Sequence, residues 1–110
     1  MKIENTKAQM RKGILEFCIL SILQRGDAYT SEILSVLKDA KLLVVEGTIY
    51  PLLTRLKNAG LLSYRWEESL SGPPRKYYEL TETGQLFLKE LSTTWNDLSL
   101  AVTTVTKNIK

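Results

Sequence analysis

The C-terminal segment, residues 81–110, carries an apolar seam that a small domain does not need for its own core. Apolar side chains recur there in alternating steps of three and four: Leu88, Leu91, Trp95, Leu98, Val102, Val105 and Ile109. Steps of this kind over about three heptads form a narrow stripe, which suits a partner helix better than a broad domain core. The pattern predicts that Thr81 caps a long helix, which joins two copies of the chain through the first six of these side chains.

Two helices are predicted near the start of the chain. The first runs from about residue 10 to residue 24 and is apolar around most of its circumference, so we expect it to be buried on several sides. Cys18 lies within it and is expected to be a small core residue. The second helix is predicted over about residues 30–40, with Thr30 or Ser31 as its cap.

A third helix is predicted from a clean apolar face. Ile49, Leu52, Leu53 and Leu56 are spaced as i, i+3, i+4 and i+7. Pro51 lacks a backbone N–H and therefore belongs in the first turn, where no helical partner is available. The helix is thus expected to begin near residue 46 or 47 and to end at Gly60.

A β-hairpin is predicted to follow the third helix. Leu62, Tyr64 and Trp66 alternate with polar residues, which is typical of a half-buried strand, and Trp66 is expected in the core. Residues 69–74 contain Gly-Pro-Pro and are predicted to form a loop. Residues 76–80 form the second predicted strand, which should pair with the first.

These elements predict a mainly α fold with a β-hairpin, namely a winged helix-turn-helix followed by a dimerisation helix. The predicted boundaries are a basic N-terminal arm over residues 1–9, the DNA-binding domain over 10–80 and the dimerisation helix over 81–110. In this fold the third helix reads the major groove and the hairpin is the wing. A dimer would place two reading helices on half-sites roughly 34–36 Å apart.

The net charge of +3 is located in one part of the chain. Residues 1–13 carry four cations and one acid, while the rest of the chain is balanced. A basic terminus of this kind often contacts a polyanion, although a solvated, frayed terminus has the same composition. The charge alone therefore leaves both interpretations open.

The composition excludes most catalytic alternatives. The chain has no His and a single Cys, so an internal disulfide, a Cys/His zinc site and His-based catalysis are all excluded. Glu67 and Glu68 are neighbours on a predicted strand, and their side chains point in opposite directions. We therefore expect no enzyme activity, no cofactor and no metal.

The absence of an apolar run of about 18 residues and of a secretory signal predicts a cytoplasmic protein without a membrane partner.

Several motifs resemble the PadR family of transcriptional regulators over about residues 10–105. They are Arg11-Lys12-Gly13 before an apolar helix, Gly47-Thr48-Ile49-Tyr50-Pro51-Leu52-Leu53 with Arg55-Leu56, Gly60-Leu61-Leu62, Gly72-Pro73-Pro74-Arg75-Lys76-Tyr77-Tyr78, and Leu80-Thr81-Glu82-Thr83-Gly84. The chain is similar to the compact branch, which ends in one long helix. The resemblance implies a homodimeric bacterial repressor that leaves an inverted-repeat operator when it meets a small aromatic, phenolic or drug-like molecule. It also implies control of genes for phenolic-acid detoxification or multidrug efflux.

Two positions depart from the family pattern. The family often has a small polar cap before the reading helix, where this chain has Val45. After Tyr29 the family often continues with Gly and Tyr, whereas this chain has Thr30 and Ser31. Contacts made by that second tyrosine are therefore not carried over to this chain.

The candidate DNA-binding residues come from the basic terminus, the three predicted helices and the wing. They are Lys7, Arg11, Lys12, Thr30, Ser31, Thr48, Tyr50, Arg55, Arg75 and Lys76. Tyr50 could instead pack against the second helix, and Arg55 could instead pair with an acid on a neighbouring helix. Because the first turn of the reading helix has no Arg, Asn or Gln, we expect limited direct readout and a larger part for DNA shape.

Trp95 is the candidate effector-binding residue. Two copies facing each other across a dimer axis could sandwich a flat aromatic ligand, and in some multidrug-binding members of the resembled family a Trp at a similar place lines such a cleft. The expected walls are Leu91, Leu98, Phe87 and Leu15. The alternative is that Trp95 only anchors the dimer.

A winged helix that binds another protein instead of an operator is the alternative function, because a fold does not by itself fix a function. The basic terminus and the two cations of the predicted wing favour DNA.

Overall fold

Four helices and three strands follow one another in the computed structural model, which describes residues 2–42 and 44–107. In chain order they are α1 (Ile3–Arg25), β1 (Ala28–Tyr29), α2 (Thr30–Asp39), α3 (Glu46–Asn58), β2 (Leu62–Ser69), β3 (Gly72–Leu80) and α4 (Glu82–Lys107). The predicted fold class, mainly α with a β-hairpin and a long C-terminal helix, is confirmed. Ile109, and the outer ends of the predicted segments 1–9 and 81–110, lie outside the described residues.

The first helix is longer than predicted, because it begins at Ile3 and not near residue 10. Residues 3–9 show no apolar periodicity, but they contain neither Gly nor Pro, and Glu4 in the first turn favours the helix N-terminus. Lys7 of the predicted arm, like Arg11 and Lys12, is therefore carried on helix α1, and Lys2 is its N-cap. Cys18 is partly buried against the core, as predicted, and burial raises the pKa of its thiol.

The second helix has a different cap from the one predicted. Tyr29 occupies the N-cap position, and its backbone N–H donates to the Glu32 carboxylate at 2.9 Å, so Thr30 and Ser31 lie inside the first turn. Tyr29 also belongs to β1, a two-residue strand that the sequence analysis did not predict. A strand of two residues is too short to show an alternation of apolar and polar side chains, so it is recognised only through its pairing with β3.

The third helix begins at Glu46 and carries Ile49, Leu53 and Leu56 on its buried face, as predicted. Pro51 lies one turn deeper than expected, at the sixth residue of the helix, so the carbonyl of Gly47 receives no N–H from it. Gly60 ends the segment with a φ of +80°, in the left-handed region that favours glycine.

The three strands form an antiparallel sheet in the order β1-β3-β2. The predicted loop over residues 69–74 is shorter in the structure, because β3 begins at Gly72 and includes both prolines. β1 pairs with β3 only at Tyr77 and Tyr78, so the prolines lie where β3 has a neighbour on one side alone. Proline is tolerated in a strand at such a place.

Trp66 is not a core residue, in contrast to the prediction. Along the inner face of β2, Leu62 is buried, Tyr64 is half-buried and Trp66 is 62% exposed. The alternation of side chains defines which face of the strand is apolar, but the helices cover only the part of that face near Leu62. Trp66 therefore lies on the part of the wing that extends beyond the core.

The core lies between the helices and the inner face of the sheet. Its most completely buried side chains come from α1, α2 and α3: Ile19, Leu20, Ile33, Leu37, Ile49 and Leu53. Leu88 of α4 also belongs to this core with 3% exposure, so the prediction that it lies at the dimer contact is corrected.

Thr81 caps α4 as predicted, since its side-chain oxygen accepts the Gly84 N–H at 2.9 Å. Within the described residues no helix is long and apolar enough to span a membrane.

Candidate nucleic-acid interface

A cleft of about 440 Å³ lies between the start of α2, the first half of α3 and the wing. We call it the wing cleft, and it is lined by Tyr29, Thr30, Ser31, Glu46, Tyr50, Thr54, Trp66, Pro74, Arg75, Lys76 and Tyr78. Five of the ten predicted DNA-binding residues meet there: Thr30, Ser31, Tyr50, Arg75 and Lys76. They are separated in sequence, and the packing of β3 beside β1 and α2 brings them together.

A second depression, of about 560 Å³, lies on the other side of α3, and we call it the α1 groove. Arg11 and Lys12 of α1 line it together with Thr48 of α3. Thr48 and Tyr50 face different depressions because two residues along an α-helix are about 200° apart around its axis. The first half of α3 is thus flanked by polar and cationic side chains on both sides. Lys7 is exposed farther along α1.

The two wing cations lie within strand β3, which was predicted to begin at Lys76 and begins instead at Gly72. The Lys76 ammonium is 4.5 Å from the centroid of the Tyr64 ring and 5.6 Å from that of Trp66. The Arg75 guanidinium is 5.6 Å from the centroid of the Tyr29 ring. Cation–π contacts of this kind hold a cation in place without neutralising it. Both side chains therefore present positive charge at the cleft.

The cleft has an aromatic floor beside these cations. Tyr50 is 49% exposed, so its ring is not fully packed against α2, while Tyr78 is buried. Burial raises the pKa of the Tyr78 phenol, and the neighbouring Tyr64 and Tyr50 raise it further, so this side chain stays neutral. Sequence reasoning missed Trp66 as a lining residue. Trp66 is the last apolar residue of the alternation and the one nearest the predicted loop, and this position could have indicated that it lies beyond the core.

Arg55 takes the second of its two predicted alternatives. Its guanidinium forms an ion pair with the carboxylate of Glu16 on α1. The pair connects the second half of α3 to α1 and engages one nitrogen of a guanidinium whose side chain remains 65% exposed.

The predicted effector residues are only partly brought together. Trp95 is 40% exposed, and Leu91 and Leu98 lie about one turn before and after it on α4, with Phe87 about two turns before. Leu15 is buried in the core and lines the α1 groove, so it is not a wall of a site at Trp95. The α1 residue that contacts Trp95 is Phe17, which the sequence analysis did not select.

The remainder of the predicted seam is exposed. Leu98, Val102 and Val105 are 55%, 53% and 67% exposed, so this side of α4 is an apolar surface that its own domain leaves uncovered. On α1, Ile3 and Met10 are also exposed, and they precede Phe17 in steps of seven. Ile3, Met10 and Phe17 thus form a second apolar stripe on one side of α1, and its last member contacts Trp95 of the α4 seam.

A three-helix domain with a β-hairpin wing, cations on the wing and a polar face on the third helix defines the winged helix-turn-helix class. The comparison with protein families agrees with this class, since the family described as "Transcriptional regulator PadR-like family" matches residues 19–90. The chain therefore belongs to the PadR-like family of transcriptional regulators. Its members are transcriptional regulators and not enzymes, in agreement with the sequence prediction.

Solved structures of the same family are similar over nearly the whole chain. A PadR-like transcription factor from Bacteroides fragilis is 57% identical, with a TM-score of 0.78, and the match covers 92% of this chain and 98% of that one. A PadR-like transcriptional regulator from Bacillus cereus is 38% identical, covering 88% and 95%, with a TM-score of 0.77. A PadR family regulator from Eggerthella lenta is 32% identical, covering 96% and 93%, with a TM-score of 0.86.

Proposed function

We propose that the protein is a homodimeric repressor that binds an inverted-repeat operator in double-stranded DNA and leaves it when a small aromatic molecule binds. The wing cleft carries this proposal, because polar side chains of α2 and α3 and the cations of β3 converge there. A duplex whose major groove receives the start of α3 would bring phosphates to the two sides of that helix. Arg75 and Lys76 then contact phosphates on the wing side, and Arg11, Lys12 and Lys7 contact them on the α1 side.

Sequence readout in this arrangement rests on few direct contacts. Thr48 and Tyr50 are the side chains at the start of α3 that reach the groove, and Thr30 and Ser31 contact the adjacent backbone. Trp66 lies at the mouth of the cleft, where its ring can pack on deoxyribose. Because these groups make no bidentate pair with a base, we propose that DNA shape contributes much of the specificity.

The exposed seam of α4 supports the homodimer. Trp95, Leu98, Val102 and Val105 lie on one side of a helix and are exposed in the single chain. A second copy of the same helix, together with the exposed stripe of α1, would remove these side chains from water. The two-fold symmetry of such a dimer would match an inverted repeat.

The effector is proposed to bind beside Trp95, where Phe87, Leu91 and Leu98 supply apolar walls. Phe17 replaces Leu15 in this proposal, because it is the α1 residue in contact with Trp95. The alternative is that Trp95 only packs in the dimer contact. Both interpretations expect an exposed Trp95 ring in the single chain, so a ligand-binding measurement is needed to distinguish them.

Binding to duplex DNA measured at increasing salt tests the proposed function. The logarithm of affinity should fall linearly with the logarithm of salt concentration, by about 0.9 per neutralised phosphate. Replacing Arg75 and Lys76 together by Ala should reduce the affinity and lower the slope by about two, with little dependence on DNA sequence. Replacing Lys89 and Lys107 by Ala is the matched control, because both are exposed on α4 and line neither the wing cleft nor the α1 groove. No DNA binding by the wild type at low salt would contradict the proposal and favour a protein-interaction module.

A further inference from the structure

The outer face of the sheet, on the side away from the core, carries a row of stacked side chains. In the strand register Arg65 of β2 lies opposite Tyr77 of β3, and Tyr77 lies opposite Tyr29 of β1. The Arg65 guanidinium is 4.5 Å from the centroid of the Tyr77 ring, and the rings of Tyr77 and Tyr29 are 4.6 Å apart. Arg75 lies over the far ring, that of Tyr29. The row thus runs from Arg65 to the wing cation.

Arg65 also holds three acids. Its Nε donates to Glu67 at 2.8 Å, and its Nη1 donates to Asp27 at 3.0 Å and to Glu79 at 3.2 Å. The hydrogen bonds to Glu67 and then to Asp27 raise the pKa of Arg65 above its usual range. A single guanidinium therefore binds two acids of the wing, Glu67 and Glu79, and one from the connection between α1 and β1, Asp27.

One of these acids lies opposite the wing cation. Glu67 and Arg75 are direct partners in the register of β2 and β3. Oppositely charged residues at directly paired positions of an antiparallel sheet are close enough to attract one another. Among the residues that the structure describes, however, no ion pair joins Glu67 to Arg75, because the Glu67 carboxylate is turned along its own strand to Arg65.

We infer that Arg65 is a positioning residue for DNA binding, which withholds Glu67 from Arg75 and so leaves the Arg75 guanidinium available to a phosphate. Arg65 does not itself touch DNA in this arrangement. The inference rests on the proposed function, because it assigns a role to Arg75 in contact with the backbone. Without Arg65, the Glu67 carboxylate turns across the sheet, pairs with Arg75 and cancels the charge that meets the phosphate.

The test measures the affinity of the full chain for a mixed-sequence DNA duplex of about 30 base pairs at several salt concentrations, since phosphate contacts are independent of sequence. We expect Arg65→Gln to weaken binding about fivefold or more near 0.1 M salt and to lower the salt slope by about one. The double variant Arg65→Gln with Glu67→Gln should restore both the affinity and the slope. Glu67→Gln alone should bind at least as well as the wild type, because Arg75 then has no competing acid.

A second background separates positioning from direct contact. In Arg75→Gln, the further change Arg65→Gln should have no additional effect on the slope, because the phosphate contact is already absent. Circular dichroism of Arg65→Gln should show an unchanged helix content, which excludes loss of the fold as the cause. If Glu67→Gln does not restore binding in the Arg65→Gln background, or if the slope of Arg65→Gln is unchanged, the inference about Arg65 is wrong. The proposed function would still stand in that case. Absence of binding by the wild type would overturn the proposed function and the inference with it.

Discussion

The rings of Phe17 and Trp95 lie against each other within one chain, with centroids 6.4 Å apart and planes tilted by 41°. This contact joins α1 to α4 near the point where the α4 seam leaves the core. Trp95 nevertheless remains 40% exposed. One side of the indole is thus held by its own chain, and the other side is free to meet a ligand or a second copy. The contact orients the indole of Trp95 against α1 within the single chain.

We expect a planar aromatic cation such as ethidium to quench tryptophan fluorescence if the site beside Trp95 binds ligands. The chain has only two tryptophans, so the signal can be assigned. Quenching should disappear in Trp95→Leu and persist in Trp66→Phe, which removes the wing tryptophan. Quenching that survives in Trp95→Leu would show that the ligand binds elsewhere, and no quenching in the wild type would favour Trp95 as a packing residue.

Val102→Glu should produce a monomer, because it places a charge within the apolar seam that a second copy would cover. The measurement is the molar mass by light scattering after size-exclusion chromatography. Thr103→Glu adds the same charge at the next residue, away from the seam, and should leave the dimer intact. A dimer that persists in Val102→Glu would contradict the assignment of this surface. Leu88 is unsuitable for this test because its loss would create a cavity in the core.

Arg55→Gln should leave the salt slope of DNA binding unchanged, since Glu16 already holds the guanidinium. The pair is largely exposed on the Arg55 side, so its loss should lower the free energy of unfolding by less than about 1 kcal/mol. Urea denaturation measures the stability, and a salt titration with duplex DNA measures the slope. A slope that falls by about one would show instead that Arg55 leaves Glu16 and contacts a phosphate.

Gly84→Ala should be strongly destabilising. A Cβ atom at this position would overlap the carbonyl oxygen of Leu61 and approach Cδ1 of Leu80 to 2.8 Å, so α4 would have to move away from the sheet. Overpacking of this kind costs about 1–3 kcal/mol of unfolding free energy, because the backbone must shift to make room for the added atom. Gly13→Ala is the matched control, because Gly13 lies within α1 with open space around it. Alanine there should raise stability by up to about 1 kcal/mol. Equal stability of the two variants in thermal unfolding would contradict the close packing at Gly84.

Much of the local structure could be predicted from short-range pattern alone. The buried face of α3 through Ile49 and Leu53 follows from helical spacing, and the left-handed residue Gly60 just after the helix follows from the conformational freedom of glycine. The cap of α4 by Thr81 follows from side-chain chemistry within a few residues. These features depend on neighbours in sequence, so the order of residues contains the information that they need.

The candidate site depends on contacts between distant segments, and here the sequence was less informative. Helical periodicity identified the seam of α4, but only the packed structure showed that the domain itself covers Leu88 and leaves Val102 exposed. Likewise, Arg55 had two possible partners until the crossing of α3 and α1 brought Glu16 to it. The spacing of residues fixes which side of an element is apolar or charged. How far another element extends over that side is a property of three-dimensional packing, and it governs which side chains remain free for DNA, ligand or a second copy.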